Sequence, residues 1–195
     1  MTTCVIYDYE TLGTDPKESV VVALAVAEFN LNSCKKAEYT FDGLYEDTKL
    51  FLFDVEEQVL EYGRKIDKST LDWWQTDVSK TVRDKCFHKD NRVSIERIPF
   101  IFQDFMMFDP DYVFSRGNTF DPIFTSEIHK QLGTRPAYPF WKDRDTRSFL
   151  DGILWDTGIK NSFIPTGLND KDLHDPETDI IIDILRIQTV LSNVG

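Results

Sequence analysis

Five residues of this chain have the types and the order that phosphodiester hydrolysis requires: Asp8 and Glu10 near the start, Asp121 past the middle, and His174 and Asp179 close to the end. Two divalent cations roughly 3.5 to 4 Å apart can stabilise the attacking and leaving oxygens of an in-line displacement, and they need a shared anionic cradle. Asp8 and Glu10 stand two apart in Cys-Val-Ile-Tyr-Asp-Tyr-Glu-Thr-Leu-Gly, residues 4–13, which reads as a buried strand breaking into a glycine turn. Strand side chains alternate between faces, so both carboxylates are expected on one side. They would begin a two-metal nuclease site.

The elements that must hold the five residues can be read around them. Residues 20–29 form a continuous, β-branched apolar run, as expected of a strand covered on both faces, and residues 39–45 alternate like a neighbouring strand. Asp54 followed by Glu57 resembles a helix start that Gly63 can end. Ser69 is expected to cap a helix carrying Leu71, Trp73 and Trp74, and Ser94 a segment whose Ile95, Ile98, Ile101, Phe102 and Phe105 recur at helical spacing. Residues 112–115 read as another strand. Pro122 then opens a helix to Leu132 and puts Asp121 at its N-terminus, as cap and ligand together. The same grammar recurs where Asp175 caps, Pro176 starts, and an Ile-rich helix runs through Leu191, with Asp179 in its first turn and His174 just before the cap. Residues 133–144, rich in Pro and aromatics, read as the least regular stretch. Strands, then strand–helix alternation, then a C-terminal helix predict an α/β fold: a mixed sheet flanked by helices, in a single domain over residues 1–195.

Composition narrows the function. The 41% apolar content, with 15 Phe and 4 Trp, suffices for a substantial core. A net charge of −12 argues against a protein that tracks along duplex nucleic acid by releasing counterions, so a nuclease here must grip locally. Cys4, Cys34 and Cys86 are odd in number and lack metal or redox spacing, which suggests reduced thiols in a cytoplasmic protein. No apolar run is long enough for a membrane span, and none follows a basic start as in a secretion signal.

The pattern resembles the DEDDh 3′-to-5′ exonucleases, the DnaQ-like branch of the ribonuclease H-like fold. Asp8-Tyr-Glu-Thr-Leu-Gly13 is similar to that family's first motif, Asn118-Thr-Phe-Asp121 to its second, and His174 with Asp179 to its third. Arg64-Lys-Ile-Asp67, Thr70-Leu-Asp-Trp-Trp74 and Arg144-Asp-Thr-Arg147 are similar to the phage DexA-type exonucleases and the polyadenylate-specific ribonuclease AS group. The resemblance implies hydrolysis of single-stranded 3′ ends to nucleoside 5′-monophosphates. It places two Mg²⁺ ions, or Mn²⁺, on Asp8, Glu10, Asp121 and Asp179, and it makes His174 the general base. It also implies that Thr11, Leu12 and Phe120 meet the terminal nucleotide, that Trp73 or Trp74 stacks on a base, and that Arg147 holds a phosphate oxygen. DexA likeness favours DNA; ribonuclease AS likeness keeps RNA and adenine-rich tails as the alternative. A phage origin would place the enzyme in host cytoplasm. The number of subunits stays open, a homodimer included.

Plainer readings stand beside these. Asp-x-Glu and His-x4-Asp each recur by chance, and only the joint pattern persuades. Asp175 reads as a helix cap, and His88 and His129 as ordinary histidines. The Trp73–Trp74 pair suits a core as well as a base platform, and Arg64 and Arg147 suit ion pairs as well as substrate. A different class of function is a catalytically inactive acidic binding module that mimics nucleic-acid charge. The presence of all five residues argues against it.

Overall fold

The computed structural model describes residues 2–168 and 174–193. β1 (Thr3–Thr11) and β2 (Val21–Asn30) pair antiparallel, and β3 (Lys49–Leu52) adds to the far edge of β2. β4 (Tyr112–Ser115) lies parallel to β1, and β5 (Asp143–Asp145) parallel to β4, giving the order β3-β2-β1-β4-β5. β1 is therefore central, and residues 21–27 of β2 are buried on both faces, as their β-branched run predicts.

Helices fill the connections in chain order: α1 (Leu31–Lys35), α2 (Phe41–Asp47), α3 (Val55–Leu60), α4 (Lys68–Thr76), α5 (Lys80–Cys86), α6 (Ile98–Met106), α7 (Asp121–Gln131), α8 (Thr146–Leu154) and α9 (Pro176–Asn193). The two faces of β1 take different helices. Cys4 and Ile6 pack with Leu150 of α8 and with Ile180, Ile181, Ile184 and Ile187 of α9. Val5, Tyr7 and Tyr9 pack with Ile98 and Phe102 of α6 and with Phe124 and Ile128 of α7. A third cluster seats Trp74 of α4 and Val82 and Cys86 of α5 against Val22 of β2 and Val20 just before it. Each isoleucine buried under α9 contributes roughly 1.5–3 kcal/mol of transfer free energy, so this helix is held firmly to the strand whose carboxylates it must meet.

Four expectations need correction. Residues 39–45 are not a strand: Thr40 accepts the N–H of Gly43 and caps α2, and Phe41, Leu44 and Tyr45 fit helical spacing where Tyr39, Phe41 and Tyr45 fit alternation. The edge of β2 is taken by β3 instead. Ser69 is not the cap of α4; Asp67 is, accepting the Thr70 N–H at 3.0 Å. Phe120, not Asp121, holds the cap position of α7, and no side chain caps that end. The irregular stretch ends earlier than residue 144, because β5 begins at Asp143, drawn into the sheet by pairing with Val113. The Asp54 and Asp175 caps stand as read, and Ser94 caps a short 3-10 turn, Ile95–Arg97, that leads into α6.

Candidate active site

Asp8 and Glu10 leave β1 on the same face as Cys4 and Ile6, the face that α9 covers, but beyond the apolar contact. The first turn of α9 brings Asp179 to them. One carboxylate oxygen from each of Asp8, Glu10 and Asp179 lies within 4.8 Å of the other two. Asp121 comes from the other side. The pairing of β1 with β4 stops at Ile6 opposite Phe114, and past that point the Asp121 carboxylate accepts the N–H of Tyr9 at 3.2 Å. Its backbone carbonyl accepts the hydroxyl of Thr125, which also reaches the hydroxyls of Tyr7 and Tyr9, so this end of α7 is pinned to β1.

Burial dominates the electrostatics. It raises Asp8 and Glu10 well above the ordinary carboxylate range, and the neighbouring carboxylates add to the rise. It pushes Asp121 up to about 7 against the opposing Tyr9 N–H, and Asp179 up to about 7 against the opposing N–H of His174. Four carboxylates crowded into one buried pocket require protons or cations at neutral pH. Their oxygen donors and their spacing fit divalent metal ions.

His174 stands at the rim in a left-handed backbone conformation, φ +70°, which costs about 1–2 kcal/mol in a non-glycine residue. Two contacts hold it there: its N–H donates to Asp179 at 3.1 Å, and its ring meets Trp73 edge-on with centroids 4.8 Å apart. Burial lowers the imidazole below its ordinary value, opposed by Asp77, so the ring is neutral at physiological pH and able to accept a proton.

The cleft around these groups encloses about 760 Å³. Thr11, Trp73, Phe120 and Arg147 line it, as the sequence led one to expect, together with Ser69 and Thr70 from the start of α4. Gly117, at φ +121°, lets the Arg147 guanidinium lie close over the backbone; a Cβ there would sit 3.3 Å from its Nη1.

Four residues of the sequence reading lie outside the cleft lining. Leu12 lies just past a bulge between Glu10 and Thr11, is drawn to Val20 by its N–H, and is buried against α4 and α5. Trp74 is fully buried, with its indole N–H donated to the Thr11 carbonyl at 3.0 Å, so it offers no face to a base. Arg64 is buried too, donating to the Ser19 carbonyl and to Gln131. Asn118 is exposed outside the cleft lining. His129 is buried against the Arg135 carbonyl, and His88 lies exposed beside Asp90.

Sequence reasoning also missed residues. Asp183, one turn beyond Asp179, is buried and ion-paired to Arg116 at 2.7 Å and to Arg186 at 2.6 Å; both arginines line the cleft. Arg186 further donates to the carbonyls of Phe163 and Ser162, fastening that segment as a wall. The signal was a lone aspartate inside an isoleucine run.

Among comparisons with known proteins, no curated protein sequence matches the chain. A family model described as the 3′-5′ exoribonuclease Rv2179c-like domain matches residues 3–176. Solved structures of exonuclease I share the fold. One, described as suggesting how processivity is achieved, superposes with a TM-score of 0.67 at 12% identity, over 100% of this chain and 43% of that one. The zinc-bound E. coli enzyme with single-stranded DNA gives 0.66 at 13%, over 100% and 42%. The E. coli enzyme with a dT13 oligonucleotide gives 0.66 at 14%, over 97% and 41%. The chain thus spans less than half the length of these proteins. At such identity they establish the fold alone: a mixed sheet flanked by helices, of ribonuclease H-like type.

Proposed function

Because the chain belongs to the Rv2179c-like 3′-5′ exoribonuclease domain family, we propose that its carboxylate cleft removes nucleoside 5′-monophosphates one at a time from the 3′ end of a single strand. The observation that carries this reading is the convergence of Asp8, Glu10 and Asp179 within 4.8 Å, from the first strand and the last helix described. With Asp121 they would hold two divalent cations, Mg²⁺ in the first instance and Mn²⁺ in the second. When bound, the ions supply electrostatic stabilisation of the attacking and leaving oxygens.

The chain's own residues do the rest. His174, neutral and held at the rim, accepts the proton of the attacking water. Arg147 orients a phosphate oxygen through its planar fork, and Phe120 and Trp73, both lining the cleft, offer stacking surface to the terminal base. Thr11 closes the floor where β1 ends.

The family's description favours RNA, and we take RNA as the first substrate, adenine-rich tails included. DNA, toward which the DexA likeness points, is the second reading, because solved proteins of this fold hold single-stranded DNA. We further propose that residues 1–195 act as one domain in the cytoplasm; the family match and the buried, unpaired cysteines support this. Among the described residues no helix is long and apolar enough to cross a membrane.

The test is to incubate matched single-stranded RNA and DNA, labelled at the 5′ end, with the protein and Mg²⁺, with Asp8→Ala as control. A ladder shortening from the 3′ end that vanishes in the control supports the reading. Cleavage that persists in the control, or no cleavage of either strand, overturns it.

A further inference from the structure

One ion cluster lies outside the cleft and touches the turn that carries His174. Lys85, near the end of α5, donates to both carboxylate oxygens of Asp175, at 2.8 and 2.7 Å, and pairs with Glu177. All three side chains are mostly buried, at 23%, 13% and 10% exposure, so the interaction is shielded far better than an ordinary surface pair. Asp175 also caps α9, accepting the N–H of Glu177 at 3.1 Å. A neutral serine could perform that capping alone. The second carboxylate oxygen and the nearby Glu177 are explained by the lysine.

The geometry points to Lys85 as a positioning residue: through Asp175 and Glu177 it fixes the turn that presents His174 to the carboxylate cleft. Its anchor is rigid. α5 is tied to α4 by Arg83, which donates to the Trp74 carbonyl at 3.1 Å, and by Phe87, which packs edge-on against Trp74 at 5.1 Å. α4 carries Trp73, the ring that meets His174. One helical pair therefore grips the histidine from both sides, by its ring and by the residue that follows it. This grip and the hydrogen bond from the His174 N–H to Asp179 together hold a left-handed backbone at a non-glycine position. The inference rests on the reading of His174 as general base, and misplacing such a group by about 1 Å can cost on the order of a hundredfold in rate.

The experiment compares Lys85→Met and Lys85→Arg in the full chain by steady-state kinetics on a labelled oligonucleotide and by NMR of the imidazole C–H signals. There are only three histidines to resolve, and His174→Ala identifies the third. In the wild type the Trp73 ring current is expected to displace the His174 signals. Lys85→Met is expected to return them toward free-imidazole positions and to lower kcat roughly ten- to a hundredfold with KM within about twofold. Lys85→Arg, which keeps charge and reach, restores most of both. If Lys85→Met does not fold, Asp175→Asn keeps the cap, removes the charge and should move both readings the same way. Unshifted His174 signals, or shifted signals with unchanged kcat, overturn the proposal. If the wild type cleaves nothing, the functional reading fails while the NMR comparison still decides whether Lys85 places His174.

Discussion

The backbone N–H of His174 donates to the Asp179 carboxylate at 3.1 Å, so the proposed base and a proposed metal ligand are tied within one turn of backbone. Metal charge on Asp179 and the position of the histidine are therefore coupled, and two substitutions should separate them. Asp179→Asn keeps an acceptor for that N–H but removes the charge, so calorimetry should show weakened Mn²⁺ binding. His174→Ala should bind Mn²⁺ as the wild type does and lose about 10² to 10⁴ in kcat. Full activity of His174→Ala across pH would remove the histidine from the reaction.

Stability should depend on pH in a definite direction. Asp121 and Asp179 are each raised to about 7 in the folded protein, above the ordinary value of 3.8, so the native state binds protons more tightly than the unfolded chain. Their contribution is complete below about pH 4 and is lost as pH rises through about 7. Thermal melts in EDTA should therefore fall in Tm between pH 5 and 8 if other groups stay balanced. Because cations bind the ionised carboxylates, the Tm gain from Mg²⁺ should be larger at pH 8 than at pH 6.

The two adjacent tryptophans should behave as opposites. Trp74→Ala empties a core site and should cost roughly 3–5 kcal/mol in urea unfolding. Trp73→Ala should leave most of that stability in place and raise KM for a single strand, a stacked base being worth about 1–3 kcal/mol. Equal effects on both readouts would contradict the assignment of Trp73 to the substrate wall.

Removal of Asp183 should destabilise the protein sharply. Asp183→Ala leaves Arg116 and Arg186 without their counter-charge beside the cleft, and breaking a buried pair from one side costs about 3–5 kcal/mol. Chemical denaturation measures this directly. A change under about 1 kcal/mol would mean that water compensates both arginines.

The strands that carry the site were legible because their side-chain period is two and their burial unambiguous. Asp8 and Glu10 on β1, and Asp179 in the first turn of α9, followed from alternation and from the Asp175-Pro176 helix start. Residues 39–45 were misread because Tyr39, Phe41 and Tyr45 alternate while Phe41, Leu44 and Tyr45 fit helical spacing, and the choice falls to the Thr40 cap. Leu12, assigned to the substrate by resemblance alone, lies past a bulge at Glu10 and Thr11 that turns it into the core. Adjacent helical residues point about 100° apart, so the pattern said that one tryptophan faces inward without saying which. Lys85 and Arg116 were out of reach for another reason: ion partners 90 and 67 positions away leave no mark on local spacing.

The joining of β1 to α9 bears on how such an enzyme is made. A ribosome delivers Asp8 early and Asp179 only after every intervening strand has been synthesised, so the carboxylate cluster cannot assemble while most of the polypeptide is being translated. A nascent chain of this sequence carries its first-strand acids without their partner and completes the cluster only when α9 docks.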